Sequence, residues 1–280
     1  MTEFSTKISQ VMPGKVTIRG YSHADIIGNL SYAEATYLTI VGELPTPAQA
    51  RMMDAMLTSL LDHGFVAATV SATRYAASGN PQFIPAVASG LLASGSNTLS
   101  PEHSFKIIDE CLALQAEGMS LTEAAAEVVA RRRAAGIRIP GLGHPTHKTS
   151  DFRADRLFAI ADSLGITGEA TTTFRAIHEE FLKVSSRKDI PINVDACLAC
   201  LGRDLGLSAM QTVSIAVLAV LPGLMAHAIE EIDEGKPLRF ITDDEYTGVP
   251  ERPLPVLARD LDTAPAGDTS DLEPQVANHA

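Results

Sequence analysis

Apolar residues recur along this chain at three- and four-residue spacing, the pattern of helices rather than of half-buried strands. Met53, Met56, Leu57, Leu60 and Leu61 form one such face. Their helix starts at Thr46-Pro47, with proline at the first helical position, and is expected to end at Asp62-His63-Gly64. Ser31-Tyr32-Ala33-Glu34 reads as a capping box, opening a helix through Ile40 that Gly42 stops. Ser120 with Glu123 and Ser208 with Gln211 repeat the signature. Further helices are expected from Ala67 to about Ala77, from Ile84 to Leu92, from Ser100-Pro101 through Leu114, and over 151–164, 168–184, 194–204 and 209–232. Lys15-Val16-Thr17-Ile18 is a strand-like run, strand signals are otherwise nearly absent, and no repeat of solenoid length is visible. The expectation is a mainly α protein. From Lys236 the chain turns rich in Pro, Asp and Thr, and its last twenty or so residues are expected to form a mobile tail.

The 280 residues are 45% hydrophobic, ample for a buried core in one domain or two. A formal net charge of -12 argues against a nucleic-acid partner, because phosphate binding needs a basic footprint. A small anionic substrate would need a local cluster of Arg and Lys. Three cysteines, and no signal-peptide pattern at Met1-Thr2-Glu3, lead us to expect a reducing, cytoplasmic setting. The longest apolar run, Val213 to Ala228, falls short of the roughly 20 residues of a membrane helix. It contains Pro222 and Gly223 and reads as a buried core helix, so no membrane partner is expected.

Three residues stand out as acid–base groups. His144 sits in a glycine-hinged loop, Ile139-Pro140-Gly141-Leu142-Gly143-His144, which runs on to Lys148 and Arg153. Its two glycines permit turns that bring backbone close to a phosphate or acyl group. A histidine with two cations on short tethers suits an anionic, carbonyl-containing substrate; the alternative is a surface turn with solvated charges. Asp195 follows Ile192-Asn193-Val194 and enters a run of small and apolar residues. A poorly solvated carboxylate there would be a better base near neutral pH, while a plain helix N-cap is the competing role. His63 lies at a helix end beside Gly64. Cys197 and Cys200 have redox or zinc spacing, but Cys111 is the only other cysteine, so packing is the expected role and no metal site is expected. His103, His147, His178 and His227 show no ligand spacing with one another, and His227 reads as a core or interface residue.

In this order the segments resemble the citrate synthase family. Arg19-Gly20-Tyr21 through Gly42-Glu43-Leu44-Pro45-Thr46 is similar to its N-terminal segment. Asp62-His63-Gly64 resembles its first active-site histidine, as found in the citryl-CoA lyase branch. Pro140 to His144 resembles its PGxGH loop, and Asn193-Val194-Asp195 its catalytic aspartate. The resemblance implies a citrate synthase-like fold of two helical domains, a large one from 1–103 and 206–280 and a small one from 104–205. The active site would lie in the cleft between them, in a homodimer or higher homo-oligomer. It implies carbon–carbon bond chemistry next to a coenzyme A thioester, with no metal required. Asp195 would move the proton of the acetyl-CoA methyl, His144 would serve the carbonyl of the 2-oxo acid, and His63 the enolate oxygen. Arg153 would bind the substrate carboxylate, and Arg239 is a looser match to an arginine donated by the partner subunit. Pro140, Gly141, Gly143, Lys148, Arg187 and Lys188 would serve coenzyme A.

Two departures bear on the activity. Where citrate synthases carry a further histidine, this chain reads Gly95-Ser96-Asn97-Thr98-Leu99, as citryl-CoA lyases also lack it. The expected activity is therefore reversible cleavage of a citryl-CoA-type thioester to acetyl-CoA and a 2-oxo acid such as oxaloacetate. A citrate or 2-methylcitrate synthase is the alternative, and a non-catalytic CoA-binding homologue the second. A second carboxylate-binding arginine of the family falls at Val220 or Leu221. A carboxylate buried there unpartnered would cost several kcal/mol, which points to a hydroxyacyl-CoA related to citryl-CoA rather than citryl-CoA itself.

Overall fold

A computed structural model describes residues 4–242 and 245–252. The chain divides into two units, Met1–Arg239 and Phe240–Ala280. In the second, the described residues form no helix or strand, and the Tyr246 hydroxyl donates to the Val249 carbonyl at 3.0 Å. The tail expected to be mobile lies outside the described residues.

The first unit opens with an antiparallel meander, β1 (Ser9–Met12), β2 (Lys15–Ile18) and β3 (Tyr21–Ser22), in that order. Sequence pattern anticipates only β2. β1 is exposed along its whole length, so no alternation of burial marks it, and pairing with β2 is what defines it.

Eleven α-helices follow among the described residues: α1 (His23–Ile26), α2 (Tyr32–Val41), α3 (Pro47–Thr58), α4 (Ala68–Gly79), α5 (Phe83–Leu92), α6 (Pro101–Ala116), α7 (Leu121–Ala134), α8 (Phe152–Leu164), α9 (Glu169–Val184), α10 (Val194–Asp204) and α11 (Ala209–Glu234). The three expected capping boxes are present, and Thr46 with Gln49 adds a fourth. The fold is the mainly α, citrate synthase-like one anticipated. α3 ends sooner than its apolar spacing suggests. The Ser59 N–H and hydroxyl both close on the Met56 carbonyl, at 3.2 and 2.8 Å, which releases residues 60–63 from helical geometry. A 3-10 turn, Gly64–Val66, follows His63.

α10 is the central element. Ala196 through Leu201 are fully buried, and residues of α2, α3, α6, α8, α9 and α11 share the core around them. Small side chains let neighbours approach closely, and Cys197 and Cys200 serve here as buried free thiols. Burial pushes both thiols well above their ordinary range, which suits packing and not redox chemistry. A second cluster joins α6, α7 and α9 around Ile107, Val128 and Ile177.

α11 is 26 residues long and apolar enough, by length and composition, to cross a membrane. It nonetheless packs through Ile215, Ala216, Ala219, Leu224 and Ala228 within this unit, while Met210 and Ile229 remain exposed. The expectation of a buried core helix therefore holds for one face only, because its neighbours cover only that face. Gly223 sets one close approach: a Cβ there would lie 2.2 Å from the Leu61 carbonyl oxygen and 3.1 Å from the Asp62 carboxylate. Removing the side chain is what lets α11 pass against the segment leading into His63.

Gly141 sets the other. Its φ is +88°, and a Cβ would lie 2.4 Å from Ala196 Cβ, 2.6 Å from Ser104 Oγ and 2.9 Å from the Phe174 ring. Gly141→Ala combines overpacking with a left-handed backbone and should cost about 3 kcal/mol or more. Gly136, at φ +67° with open space around it, should lose only about 1 kcal/mol as alanine. Urea unfolding of the two variants measures the difference.

Candidate functional site

The glycine loop is fastened to the strand-like segment before α10. The Gly143 N–H donates to the Pro191 carbonyl and the Asn193 N–H to the Gly141 carbonyl, both at 2.8 Å. The Asn193 side-chain amide donates to the Gly143 carbonyl at 3.0 Å. His178 Nε2 lies 2.7 Å from the Ile190 carbonyl and steadies the same segment. Asn193 also caps α10, accepting from the Ala196 N–H at 3.2 Å. The N-cap role weighed for Asp195 thus belongs to Asn193, two residues earlier.

Asp151 is the buried hinge of this arrangement. Its carboxylate accepts from Arg153 Nε at 2.9 Å, from Arg153 Nη2 at 2.8 Å and from the Val194 N–H at 3.0 Å. Burial alone would raise its pKa, but the hydrogen bonds and charge of Arg153 and the Val194 N–H outweigh this and hold it below the usual carboxylate value. Sequence reading took residues 150–153 as a helix start carrying the cation Arg153 and gave Asp151 no role. The i to i+2 spacing of Asp151 and Arg153 is the signal that could have marked the pair.

A cavity of about 550 Å³ opens beside these elements. Asp62, His63, the Gly95–Leu99 loop, Gly143, His144, Arg153, Asp195 and Val220 line it. Of the anticipated site residues, His63, His144, Asp195, Arg153 and Gly143 therefore share one wall system. The His63 and His144 ring centroids are 5.1 Å apart. Two Arg153 nitrogens are committed to Asp151, leaving Nη1 for a ligand. Val220, at the position of the second family arginine, puts an apolar wall in the cavity.

The other anticipated residues lie elsewhere. Arg187 Nη2 donates to the Lys148 carbonyl at 3.0 Å and pairs with Asp189, so Lys148 and Arg187 are neighbours on the exposed shoulder of the loop. Lys188 Nζ donates to the Leu182 and Lys183 carbonyls and caps the end of α9. Arg239 is paired with the buried Glu231 at 2.6 and 2.7 Å and does not line the cavity.

The electrostatics follow from dryness. Desolvation, then the positive charge of Arg153, holds His144 down at about 4, and the same two causes lower His63. Both rings are neutral at pH 7. His144 Nδ1 accepts from the Thr146 and His147 N–H groups, at 3.1 and 3.0 Å. Its proton is thereby assigned to Nε2. Asp195 is half-buried at the cavity wall, and desolvation raises its pKa against the pull of the Ser100 backbone and Arg153. Leu99, next to Ser100, has φ +57°, a strained backbone in the cavity wall that Asp195 also lines.

His147, three residues after His144, joins this group in space, although it shows no ligand spacing with His103, His178 or His227. Its ring stacks on His144 at 4.6 Å and stands 5.2 Å from His63. One ring nitrogen from each of the three lies within 4.8 Å of the others, a set able to approach a metal ion. With Nδ1 accepting two N–H bonds, however, neutral His144 offers no lone pair at Nε2, so ligation would require giving those bonds up.

Comparison with known proteins identifies the frame. The model of the citrate synthase C-terminal domain matches residues 45–241. The chain belongs to the citrate synthase family. Citrate synthase 2 of Bacillus subtilis is 27% identical over 217 residues, which are 77% of this chain but 56% of that protein. The chain thus spans little more than half of that curated relative. The citryl-CoA lyase of Hydrogenobacter thermophilus superposes with a TM-score of 0.81 at 34% identity, covering 90% of this chain and 98% of the other. The ATP citrate lyase of Methanothrix soehngenii, solved with citrate and coenzyme A, shares the fold at 21% identity, with a TM-score of 0.74 over 90% of this chain and 42% of its own. The chain is an enzyme-family member of the citryl-CoA lyase-like branch.

Two stability effects of opposite sign follow. Asp151→Ala leaves buried Arg153 unpaired and should cost about 3–5 kcal/mol in urea unfolding. Asp195 behaves differently, because its folded pKa lies above the unfolded value of 3.8. Its contribution to stability is fully present below that value and is lost as pH rises through the folded pKa. Asp195→Asn should therefore raise Tm at neutral pH, with the advantage disappearing in acid.

Proposed function

We propose that the chain reversibly cleaves a 3-hydroxy-3-carboxyacyl-CoA of the citryl-CoA type to acetyl-CoA, or a related acyl-CoA, and a 2-oxo acid such as oxaloacetate. The observation that carries this reading is the convergence of Asp195, His144, His63 and Arg153 on one cavity whose facing loop has no histidine.

Cleavage needs a proton for the departing acyl carbon, and the reverse reaction needs a base for the same proton. Asp195 serves both, since a raised pKa makes it a ready acid and a stronger base than an exposed aspartate. In the condensation direction the His144 Nε2–H gives its proton to the carbonyl oxygen as it becomes a hydroxyl; cleavage starts from the enzyme form this leaves, with Asp195 protonated, and returns the hydroxyl proton to Nε2. Two N–H groups on its Nδ1 stabilise negative charge as that proton is drawn toward an oxyanion. His63 serves the thioester oxygen, and Arg153 Nη1 a substrate carboxylate. Lys148 and Arg187, on the loop shoulder, suit the phosphates of coenzyme A. Closure of a small domain (104–205) on a large one would exclude water and strengthen each of these interactions. We place this activity in a homodimer or higher homo-oligomer in the cytoplasm.

The likeness to a lyase of nearly equal length supports cleavage over synthesis. The curated relatives named citrate synthases favour a second reading, in which the thioester is also hydrolysed. Incubation with citryl-CoA and mass spectrometry separates them. Acetyl-CoA plus oxaloacetate is the expected result. Citrate plus free CoA would establish the synthase reading. Intact citryl-CoA with continuing deuterium exchange at the acetyl-CoA methyl would move the search to 2-oxo acids with one carboxylate and an apolar tail, as the Val220 wall suggests. In that exchange assay Asp195→Asn should lose about 10²–10⁴-fold in rate. A rate equal to that of the unmodified protein would remove Asp195 from the mechanism.

A further inference from the structure

Behind His63 runs a chain of polar side chains that the lyase reading does not use. Asp62 Oδ2 accepts from the Gly64 N–H at 3.2 Å, so this carboxylate brackets His63 on both sides. Asp62 Oδ1 lies 3.0 Å from His227 Nε2, on α11. His227 Nδ1 accepts from Arg74 Nε at 3.2 Å. Arginine can only donate, so His227 carries its own proton on Nε2 and donates it to Asp62. Arg74 Nη1 in turn pairs at 2.9 Å with Glu231, whose side chain is fully buried and is also held by Arg239. Every donor and acceptor along this path has one consistent assignment.

The geometry that brings the path to His63 is specific. Only a glycine at 223 lets α11 come against Leu61 and Asp62. His63 itself has φ -138° and ψ 17°, outside helix and strand, at the start of the 3-10 turn. Its Nε2 is shielded from solvent and has no hydrogen-bond partner among the described residues, so its own side chain does little to fix the ring. What fixes it is the backbone on either side. We propose that His227 is a positioning residue, which sets the place of His63 in the cavity by locking Asp62 and, through it, the turn at Gly64. Arg74, Glu231 and Arg239 hold His227 in the tautomer the lock requires. The inference rests on the lyase reading only for what His63 does once placed.

The test uses the full-length protein and the variants His227→Phe, His227→Gln and Asp62→Ser. Phenylalanine fills the space and loses both hydrogen bonds; glutamine can still donate to Asp62 and accept from Arg74. The first readout is the titration of the His63 ring by NMR in the free protein. Asp62, Arg153, His147 and Asp151 are the charged and titratable groups that act on this ring. His227→Phe should loosen the turn, let water reach the ring and move its pKa up toward 6.5, whereas His227→Gln should leave it low. The second readout is methyl-proton exchange of acetyl-CoA. His227→Phe and Asp62→Ser should each lose about tenfold, the scale of a slightly misplaced catalytic group, and His227→Gln should stay within about threefold of the unmodified protein. The double variant should be no worse than the poorer single one, because both act on one turn.

Unchanged His63 titration in His227→Phe, or multiplying losses in the double variant, would overturn the proposal. If His227→Phe does not fold, half-exposed Asp62→Ser carries the exchange test, and full exchange in that variant overturns the lock. A protein that neither exchanges nor cleaves sinks the lyase reading, while the titration still decides the role of His227.

Discussion

The carboxylate of Asp151 is the constraint on which the site is built. It is fully buried, and it accepts hydrogen bonds from Nε and Nη2, one edge of the guanidinium of its chain neighbour Arg153, and from the first N–H of α10. A buried charge persists only where its lone pairs are filled. That requirement holds three things in register: the start of α8, the guanidinium that faces the cavity and the helix turn that carries Asp195. The glycine loop completes the frame, because Gly141 leaves no room between α6, α9 and α10 for any side chain of its own. The backbone bonds between 141–143 and 191–193 then hold His144 and Asp195 at one cavity.

Within that frame one physical condition, poor solvation, tunes every reacting group. It keeps His63 and His144 neutral, so they can donate hydrogen bonds without carrying charge next to Arg153. It raises Asp195, which makes that carboxylate a stronger base than an exposed aspartate. The small residues of α10 make this possible, since dense packing behind Asp195 leaves little space for water. The same condition makes Asp195 costly to the fold at neutral pH, while Asp151, fully buried, is stabilised by the arginine beside it.

Much of this was legible in the sequence. The capping boxes at Ser31, Ser120 and Ser208 and the three- and four-residue apolar spacing gave helices within a few residues of those observed, because these signals are local. His63, His144, Asp195 and Arg153 could be named because each sits in a short motif. Other features could not be read. β1 has no burial pattern, and α3 stops at Thr58 although its apolar spacing continues. His147 lies three residues after His144, but only the fold shows that their rings stack and that His63 joins them. Asp62, His227, Arg74 and Glu231 are separated by up to about 170 residues and meet only where α11 crosses α4 and the segment after α3.

By itself, then, the sequence determined the helical class and the helix starts, set by interactions within a few residues along the chain, and marked side chains that line the cavity. Tertiary structure decided which of those side chains share a cavity, which cations are committed elsewhere and how each group is charged. Lys188 and Arg239 illustrate the second point: both look available in the sequence, and both are held by acceptors that folding brings to them, the carbonyls ending α9 and the carboxylate of Glu231. Solvation and long-range pairing depend on what packs nearby in space, and neither is written in the local order of residues.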